Sequence, residues 1–254
     1  MKNLLYYILN FTFPKFEKKI LNILKNENNL VIFDVGCFKG VFVNTILKLI
    51  KNKKYRFYLF DINKNVKNYI KNLLKIKNIN FTETALTNYN GVATYNFNSS
   101  FESSGSSLSS VFKDDSQWNF SRKLILKILS PTTIERGFLK QKVKTATLDT
   151  FVKKNKIKKI DILKVDVDGS EYEFLKGSEL TLKKNKIKTI LIEIFKKKKF
   201  YKNKEKKVIK FLNKKNFSLI DQSNIFSVSI FSKTKSGDYL FVNNKILNES
   251  QVYE

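Results

Sequence analysis

Apolar residues along this chain fall into short continuous runs that alternate with longer stretches in which they recur every three or four positions. The first pattern predicts buried β-strands, and the second predicts helices that cover them. Strands separated by helices form a mostly parallel sheet with right-handed crossovers. The predicted strands are residues 30–35, 55–61, 79–86, 160–166 and 187–195, and the predicted helices include 41–50 and 64–76.

The C-terminal part of the chain has a different pattern. Runs typical of strands at 217–221, 225–231 and 239–243 are joined by connections too short for a crossover helix. Such connections predict antiparallel pairing. The fold class is therefore α/β, with a mostly parallel sheet and an antiparallel C-terminal edge.

Three of the apolar runs finish on an aspartate: Asp34, Asp61 and Asp166. Ligands of open α/β sheets bind outside the carboxyl ends of the strands, so these carboxylates are expected to converge on one crevice. Asp61 follows the first strand at about the distance where nucleoside-binding sheets carry the carboxylate that binds a ribose. An adenosine-like ligand is the first hypothesis.

A glycine turn, from Asp34 to Gly40, follows the first strand and precedes a predicted helix. Its pattern Gly-x-x-x-Gly is one glycine short of the dinucleotide fingerprint, and no phosphate-binding loop pattern is present. The turn therefore favours a nucleoside ligand that carries no phosphate. The alternative is that Gly36 and Gly40 only shape a tight turn.

The segment 161–177, Asp-Ile-Leu-Lys-Val-Asp-Val-Asp-Gly-Ser-Glu-Tyr-Glu-Phe-Leu-Lys-Gly, resembles the signature of the FkbM family of S-adenosylmethionine-dependent methyltransferases. Other segments similar to that family occur in the same order over roughly residues 30 to 245: the glycine turn 34–40, 59–61, Ala85-Leu86-Thr87 before Gly91, 147–149 and 191–193. The resemblance implies a Rossmann-like class I methyltransferase fold and S-adenosyl-L-methionine as the cofactor.

The resemblance also implies the class of acceptor, which is expected to be a hydroxyl of a sugar, a glycan or a similar polyol. Together with the strand ends and the glycine turn, it leads to an expected set of site residues. The cofactor-binding residues are expected to be Asp34, Gly36, Cys37, Gly40, Asp61 and Ala85, and the catalytic residues Asp166, Asp168 and Glu193.

Three positions depart from the family pattern. Phe38 stands where many members have Asn or His, Asp61-Ile62 replaces Glu-Pro, and Asp168 replaces Glu. The substitution at Phe38 puts a polar contact to the cofactor in doubt. The other two changes keep the carboxylate.

An alcohol acceptor must lose a proton, and the chain contains no histidine to accept it. The remaining candidates are carboxylates near strand ends, Lys164 with a depressed pKa, or a hydroxyl activated by a divalent metal ion that these same carboxylates hold. The carboxylate candidates are Asp166, Asp168, Glu171 and Glu193. Asp166 is favoured, since Asp168 has the alternative role of capping the following helix.

The 254 residues suit one α/β domain, residues 30–254, preceded by a helical and aromatic extension, residues 1–29. A serine-rich insertion at about 98–141 is predicted to be an acceptor-side lid, with a passive insertion as the alternative. The single cysteine cannot form an internal disulfide, which favours a cytoplasmic enzyme. The apolar segment 4–13 is too short to span a bilayer, so it either packs on the core or contacts a membrane interface.

The formal net charge of +27 is typical of nucleic-acid-binding proteins. Nearly all the basic residues are lysines, however, and the only arginines are Arg56, Arg122 and Arg136. Arginine is the preferred ligand of phosphates and bases, so the excess of lysine favours a compositional origin. Nucleic acid is therefore not the expected partner. The rival functions are an RNA methyltransferase that uses the lysine-rich surface, and a non-catalytic Rossmann-like binding module.

Overall fold

A seven-stranded sheet is the central element of the computed structural model. The structure describes residues 15–50, 52–98, 138–167, 169–196, 203–226 and 235–251. The strand order of the sheet is β3-β2-β1-β7-β8-β10-β9. The bounds of these strands are β1 Asn29–Val35, β2 Lys54–Asp61, β3 Ile79–Glu83, β7 Ile160–Val165, β8 Ile187–Lys196, β9 Phe217–Phe226 and β10 Lys235–Asn243.

Strands β1, β2, β3, β7 and β8 pair in parallel, and β10 pairs antiparallel with both β8 and β9. The predicted α/β sheet with an antiparallel C-terminal edge is thus confirmed. Strand β1 has β2 on one side and β7 on the other, so the strand order reverses between β1 and β7. Such a switch point opens a crevice at the carboxyl ends of the two strands.

Helices cover both faces of the sheet. Their bounds are α1 Lys15–Ile23, α2 Val41–Leu49, α3 Val66–Tyr69, α4 Leu148–Lys154, α5 Glu171–Lys176, α6 Glu179–Lys183, α7 Lys204–Asn213 and α8 Asn244–Gln251. Buried side chains of α1, α2 and α3 pack on one face, and those of α4 to α7 pack on the other. The two hydrophobic layers enclose the sheet. Among the described helices, none is long and apolar enough to cross a membrane.

Two predicted elements differ from the structure. The predicted strand 79–86 is divided at Thr84, and its end, β4 Ala85–Leu86, joins a second sheet of order β4-β6-β5 with β5 Gly91–Asn98 and β6 Phe138–Ala146. The predicted helix 64–76 is reduced to α3 and a 3₁₀ turn, Leu73–Lys75. Both errors arise because periodicity reports which face is apolar but does not report where the chain leaves a layer.

Helix α1 belongs to the extension that precedes the sheet. Its buried residues Phe16 and Ile20 pack in the same core cluster as β1 and α2. Lys15 and Lys19 form ion pairs with Asp221 of β9, at 3.2 and 3.0 Å. These ion pairs attach α1 to β9, which is an edge strand of the sheet. The segment 4–13 and most of the predicted lid, residues 99–137, lie outside the described residues.

Candidate active site

The glycine turn follows β1 at the switch point. Its backbone is left-handed at Gly36, Phe38 and Gly40, with φ of 81°, 40° and 68°. The N–H groups of Gly36 and Cys37 donate to the carbonyl oxygen of Phe60 at 2.9 and 3.1 Å, so the turn is attached to the end of β2. A Cβ atom on Gly36 would lie 1.8 Å from the carbonyl oxygen of Asp166. The turn therefore packs directly against the chain after β7.

Asp61 ends β2 and binds the same turn. One carboxylate oxygen accepts the N–H of Phe38 at 2.9 Å, and the other accepts those of Ile62 and Asn63 at 2.7 and 2.9 Å. Burial raises the pKa of Asp61, and the three amide donors oppose that rise. A carboxylate has about four acceptor positions, so Asp61 keeps a position for one further donor, such as a ribose hydroxyl.

Lys164 of β7 connects the two sides of the switch point. Its ammonium donates to the carbonyl oxygen of Gly36 at 3.1 Å and to Oδ2 of Asp166 at 3.1 Å. It also lies 3.5 Å from Oδ1 of Asp34, a fully buried side chain whose oxygens accept no hydrogen bond from the described residues. Lys164 therefore lies between Asp34 and Asp166, two acids that the sequence predicted at the site.

The charges of these groups are coupled. The pKa of Asp34 is raised to about 6, chiefly by burial; Lys164 opposes the rise and the charge of Asp166 adds to it. Burial lowers the pKa of Lys164, but the charges of Asp166 and Asp34 outweigh that effect and hold it above its ordinary value. Lys164 therefore remains an ammonium ion. The alternative in which a depressed pKa makes Lys164 the general base is wrong.

Further carboxylates lie on the same face of the sheet as Lys164. Residues alternate in facing along a strand, so Lys164, Glu193 and Asp238 share the face of Ile162, Leu191 and Leu240, which α1 and α2 cover. Glu193 and Asp238 are directly paired between β8 and β10.

Asp238 is a site residue that the sequence reasoning missed. Its pKa is raised to about 6, chiefly by burial and next by the charge of Asp166. Glu17 of α1 also interacts with Asp238 and Lys164. The crevice thus contains a group of acidic side chains around one lysine. The pairing of β10 with β8, which brings Asp238 there, has no signal in the local sequence.

Glu171, a candidate base in the sequence, has a different environment. Its side chain is fully buried, 2.6 Å from the ammonium of Lys204, and it accepts the N–H of Gly169 at 2.8 Å. Burial raises the pKa of Glu171, and Lys204 opposes that rise. Lys204 also donates to the carbonyl of Gly169. The pair attaches the loop after β7 to α7, which is a structural role.

The remaining predicted residues are placed as follows. The thiol of Cys37 is buried, and burial together with Asp34 and Asp61 raises its pKa, so it is not a nucleophile at neutral pH. Ala85 is buried beside Ile62, the residue after Asp61. Gly40 packs against Leu73, and Asp168 lies outside the described residues. Within the described parts of the chain, no three acidic, cysteine or histidine side chains form a metal-binding group.

Two other segments of the family resemblance have structural roles in this chain. Thr147 caps α4 by accepting the N–H of Thr150 at 3.0 Å. Asp149 accepts the N–H groups of Leu180 and Thr181 at 2.9 and 2.7 Å, at the start of α6. Gly177 lies so close to Thr87 that a Cβ there would be 1.9 Å from its carbonyl oxygen. These segments join α4, α6 and the end of β4.

The sequence matches the family model of the methyltransferase FkbM domain over residues 34–219, which is most of the chain. The chain belongs to the FkbM methyltransferase family. That match includes the glycine turn, Asp61, Asp166 and the loop held by Glu171. No curated protein matches the chain.

Among solved structures, a methyltransferase FkbM from Methylobacillus flagellatus KT superposes with a TM-score of 0.51 at 10% identity, over 84% of this chain and 44% of that one. The chain therefore spans less than half the length of that relative. TrmK of M. capricolum, in complex with S-adenosyl-homocysteine, gives 0.44 at 15% identity, over 89% and 68%. A candidate RNA methyltransferase from Pyrococcus horikoshii gives 0.45 at 12%, over 92% and 85%. These likenesses concern the fold.

Proposed function

We propose that this FkbM methyltransferase transfers the methyl group of S-adenosylmethionine to a hydroxyl group of a sugar, a glycan or a similar polyol. The observation that carries the proposal is the convergence of Asp34, Asp61 and Asp166 on the glycine turn at the switch point. When bound, the cofactor supplies an electrophilic methyl group on a sulfonium ion. The protein must bind that cation, exclude water and orient the acceptor.

The charges of the crevice fit this cofactor. Asp34, Asp166 and Asp238 surround the ammonium of Lys164, so acids outnumber the lysine at the centre of the crevice in a chain whose net charge is +27. A negative potential stabilises a sulfonium ion and an α-ammonium group, and it disfavours the pyrophosphate of a dinucleotide. Asp61, with one acceptor position left, is suited to a ribose hydroxyl. The residues present are thus compatible with S-adenosylmethionine.

On the acceptor side, Asp166 is the candidate base. Its side chain is 31% exposed, and Oδ2 is occupied by Lys164. Oδ1 has no hydrogen-bond donor within the described residues and is available to accept the proton of an acceptor hydroxyl. Glu193 and Asp238, which are paired between β8 and β10, are the candidates to accept hydrogen bonds from further hydroxyls of a polyol, and the charge of Asp166 acts on Asp238. This arrangement supports a neutral, hydroxyl-rich acceptor.

An RNA acceptor is supported by one observation, an open groove of about 740 Å³ whose lining includes Lys54, Arg56, Lys77, Lys156 and Lys158. No carboxylate of the described residues pairs with these five cations. The groove lies at the amino ends of β1 and β2, about 20 Å along the strands from the glycine turn. An RNA bound there would have to extend over that distance to present a nucleotide to the acidic crevice.

The test is a methylation assay with radiolabelled S-adenosylmethionine against separate pools of glycans, lipid-linked sugars, small polyols and RNA. The proposal expects label in a hydroxyl-bearing acceptor of the first three pools. Label confined to RNA would establish the rival enzyme. Binding of S-adenosylhomocysteine without label in any pool would favour the non-catalytic module, and absence of that binding would refute the cofactor assignment.

A further inference from the structure

Lys164 connects three separate segments of the site. Its ammonium contacts Asp34 near the end of β1, the carbonyl of Gly36 in the glycine turn, and Asp166 after β7. The first two contacts are on the side expected to bind the methyl donor, and the third is on the side expected to bind the acceptor. A single side chain therefore joins the two halves of the crevice.

The need for a cation at this position follows from its surroundings. Carboxylates from six segments interact with Lys164 or its partners: Asp34 from β1, Asp61 from β2, Asp166 after β7, Glu193 from β8, Asp238 from β10 and Glu17 from α1. Buried carboxylates that repel one another take up protons unless a cation compensates them. A protonated Asp166 would not be able to accept a proton from the acceptor.

We propose that Lys164 is the positioning residue of the methyl-transfer site, which holds the glycine turn against Asp166 and keeps the acids of the crevice ionised. This inference rests on the proposed function for its consequences in catalysis. The underlying linkage between Lys164 and the two aspartates does not depend on any cofactor or acceptor. The two ideas are therefore separable by experiment.

The variants follow from the contacts. Lys164→Met removes the charge with little change of volume, and Lys164→Arg retains it. Lys188→Met is the matched control, because Lys188 is buried to the same extent, with 18% of its side chain exposed against 17% for Lys164. Lys188 also pairs with two carboxylates, Glu27 and Asp161, but at the amino end of the sheet.

The first measurement is the titration of the Asp34 carboxyl carbon by ¹³C NMR in the protein without ligand. Lys164→Met should raise its midpoint by about one pH unit or more, which is a tenfold change in proton affinity. Lys164→Arg and Lys188→Met should leave it nearly unchanged. An unchanged midpoint in Lys164→Met would overturn the proposal, whatever the reaction of the protein is.

The second measurement is the pH profile of turnover on the acceptor identified above, with calorimetry of S-adenosylhomocysteine binding alongside. The acidic limb of turnover should move to higher pH in Lys164→Met and return in Lys164→Arg. A purely structural lysine would lower the melting temperature without moving that limb, and such a result would overturn the proposal. If wild type binds no S-adenosylhomocysteine, the proposed function fails while the NMR result still decides the linkage.

A folding failure is also decisive. Lys164→Gln, which keeps a hydrogen-bond donor without the charge, replaces Lys164→Met in every arm if the latter does not fold. If both neutral variants fail to fold while Lys188→Met folds, Lys164 is a structural residue and the positioning role is overturned.

Discussion

The carbonyl oxygen of Asp166 occupies the space that a side chain on Gly36 would need, since a Cβ atom there would lie 1.8 Å away. This contact brings the turn after β1 against the end of β7. The contact explains why residue 36 is a glycine, without reference to a ligand. It also means that the methyl-donor side and the acceptor side of the site share one backbone contact. Substitution of Gly36 should therefore disturb both.

Gly36→Ala should lower the free energy of unfolding by about 2 to 4 kcal/mol, because it combines a backbone clash with a left-handed φ. Urea unfolding measures this loss. Binding of S-adenosylhomocysteine should fall as well. Gly177→Ala is the control, since its Cβ would meet the carbonyl of Thr87 at 1.9 Å, away from the crevice. Equal loss of ligand affinity in both variants would show that only global stability is involved.

Asp34→Asn should stabilise the protein at neutral pH. The pKa of Asp34 is about 6 in the folded state against an ordinary value of 3.8, a difference of about 2 units or about 3 kcal/mol. Between these values the folded state retains a proton that the unfolded state has lost, so stability falls as pH rises through this window. The gain in Asp34→Asn should be about 1 to 3 kcal/mol at pH 7.5 and should vanish below pH 4.

Urea unfolding of wild type and Asp34→Asn at several pH values measures that difference. The same variant should bind S-adenosylhomocysteine more weakly, because the crevice loses one of the negative charges that favour the α-ammonium group of the ligand. A variant that is less stable than wild type at pH 7.5 would contradict the burial argument for Asp34.

Asp61→Ala should weaken binding of S-adenosylmethionine by about 2 to 4 kcal/mol in titration calorimetry. The loss has two sources, the expected bond from a ribose hydroxyl and the support that Asp61 gives to the N–H of Phe38. Asp149→Ala is the control, because Asp149 likewise accepts backbone N–H groups, at the start of α6. Unchanged affinity in Asp61→Ala would remove the ribose role.

Asp166→Asn should reduce turnover by about 10² to 10⁴ while cofactor affinity changes little, and EDTA should have no effect. Asp221→Asn, which alters a carboxylate that pairs with lysines of α1, should remain active. Full activity of Asp166→Asn would transfer the role of base to Asp168 or Glu193. Loss of turnover in EDTA, restored by Mg²⁺ or Mn²⁺, would instead indicate a metal-activated acceptor.

RNA binding should be weak, with a dissociation constant in the micromolar range or higher, and should fade at physiological salt. If the charge is compositional, the double variant Lys54→Ala/Arg56→Ala should reduce binding no more than Lys206→Ala/Lys207→Ala, which alters the exposed face of α7. Filter binding over a salt series measures both. Tight binding at 0.15 M salt that is lost only in the first variant would favour the RNA methyltransferase.

Local pattern was sufficient for the three strands that lead to Asp34, Asp61 and Asp166. The apolar runs that end at Asp34, Asp61 and Asp166 are the strands β1, β2 and β7, because burial of a parallel strand imposes a continuous apolar run. The glycine turn was recognisable for a similar reason, since a left-handed backbone is most easily adopted by glycine. Fold class and family therefore followed from the sequence.

The partners of the charged residues were decided only by the tertiary structure. Glu171 is paired with Lys204, Lys164 lies between Asp34 and Asp166, and Asp238 reaches the crevice through the pairing of β10 with β8. The residue type shows which groups a charged side chain can bind. The pKa and the role of that side chain depend on its burial and on neighbours that can be distant along the chain. That is why the sequence by itself located the site, and only the packing of the sheet distinguished a structural glutamate from the acids of the crevice.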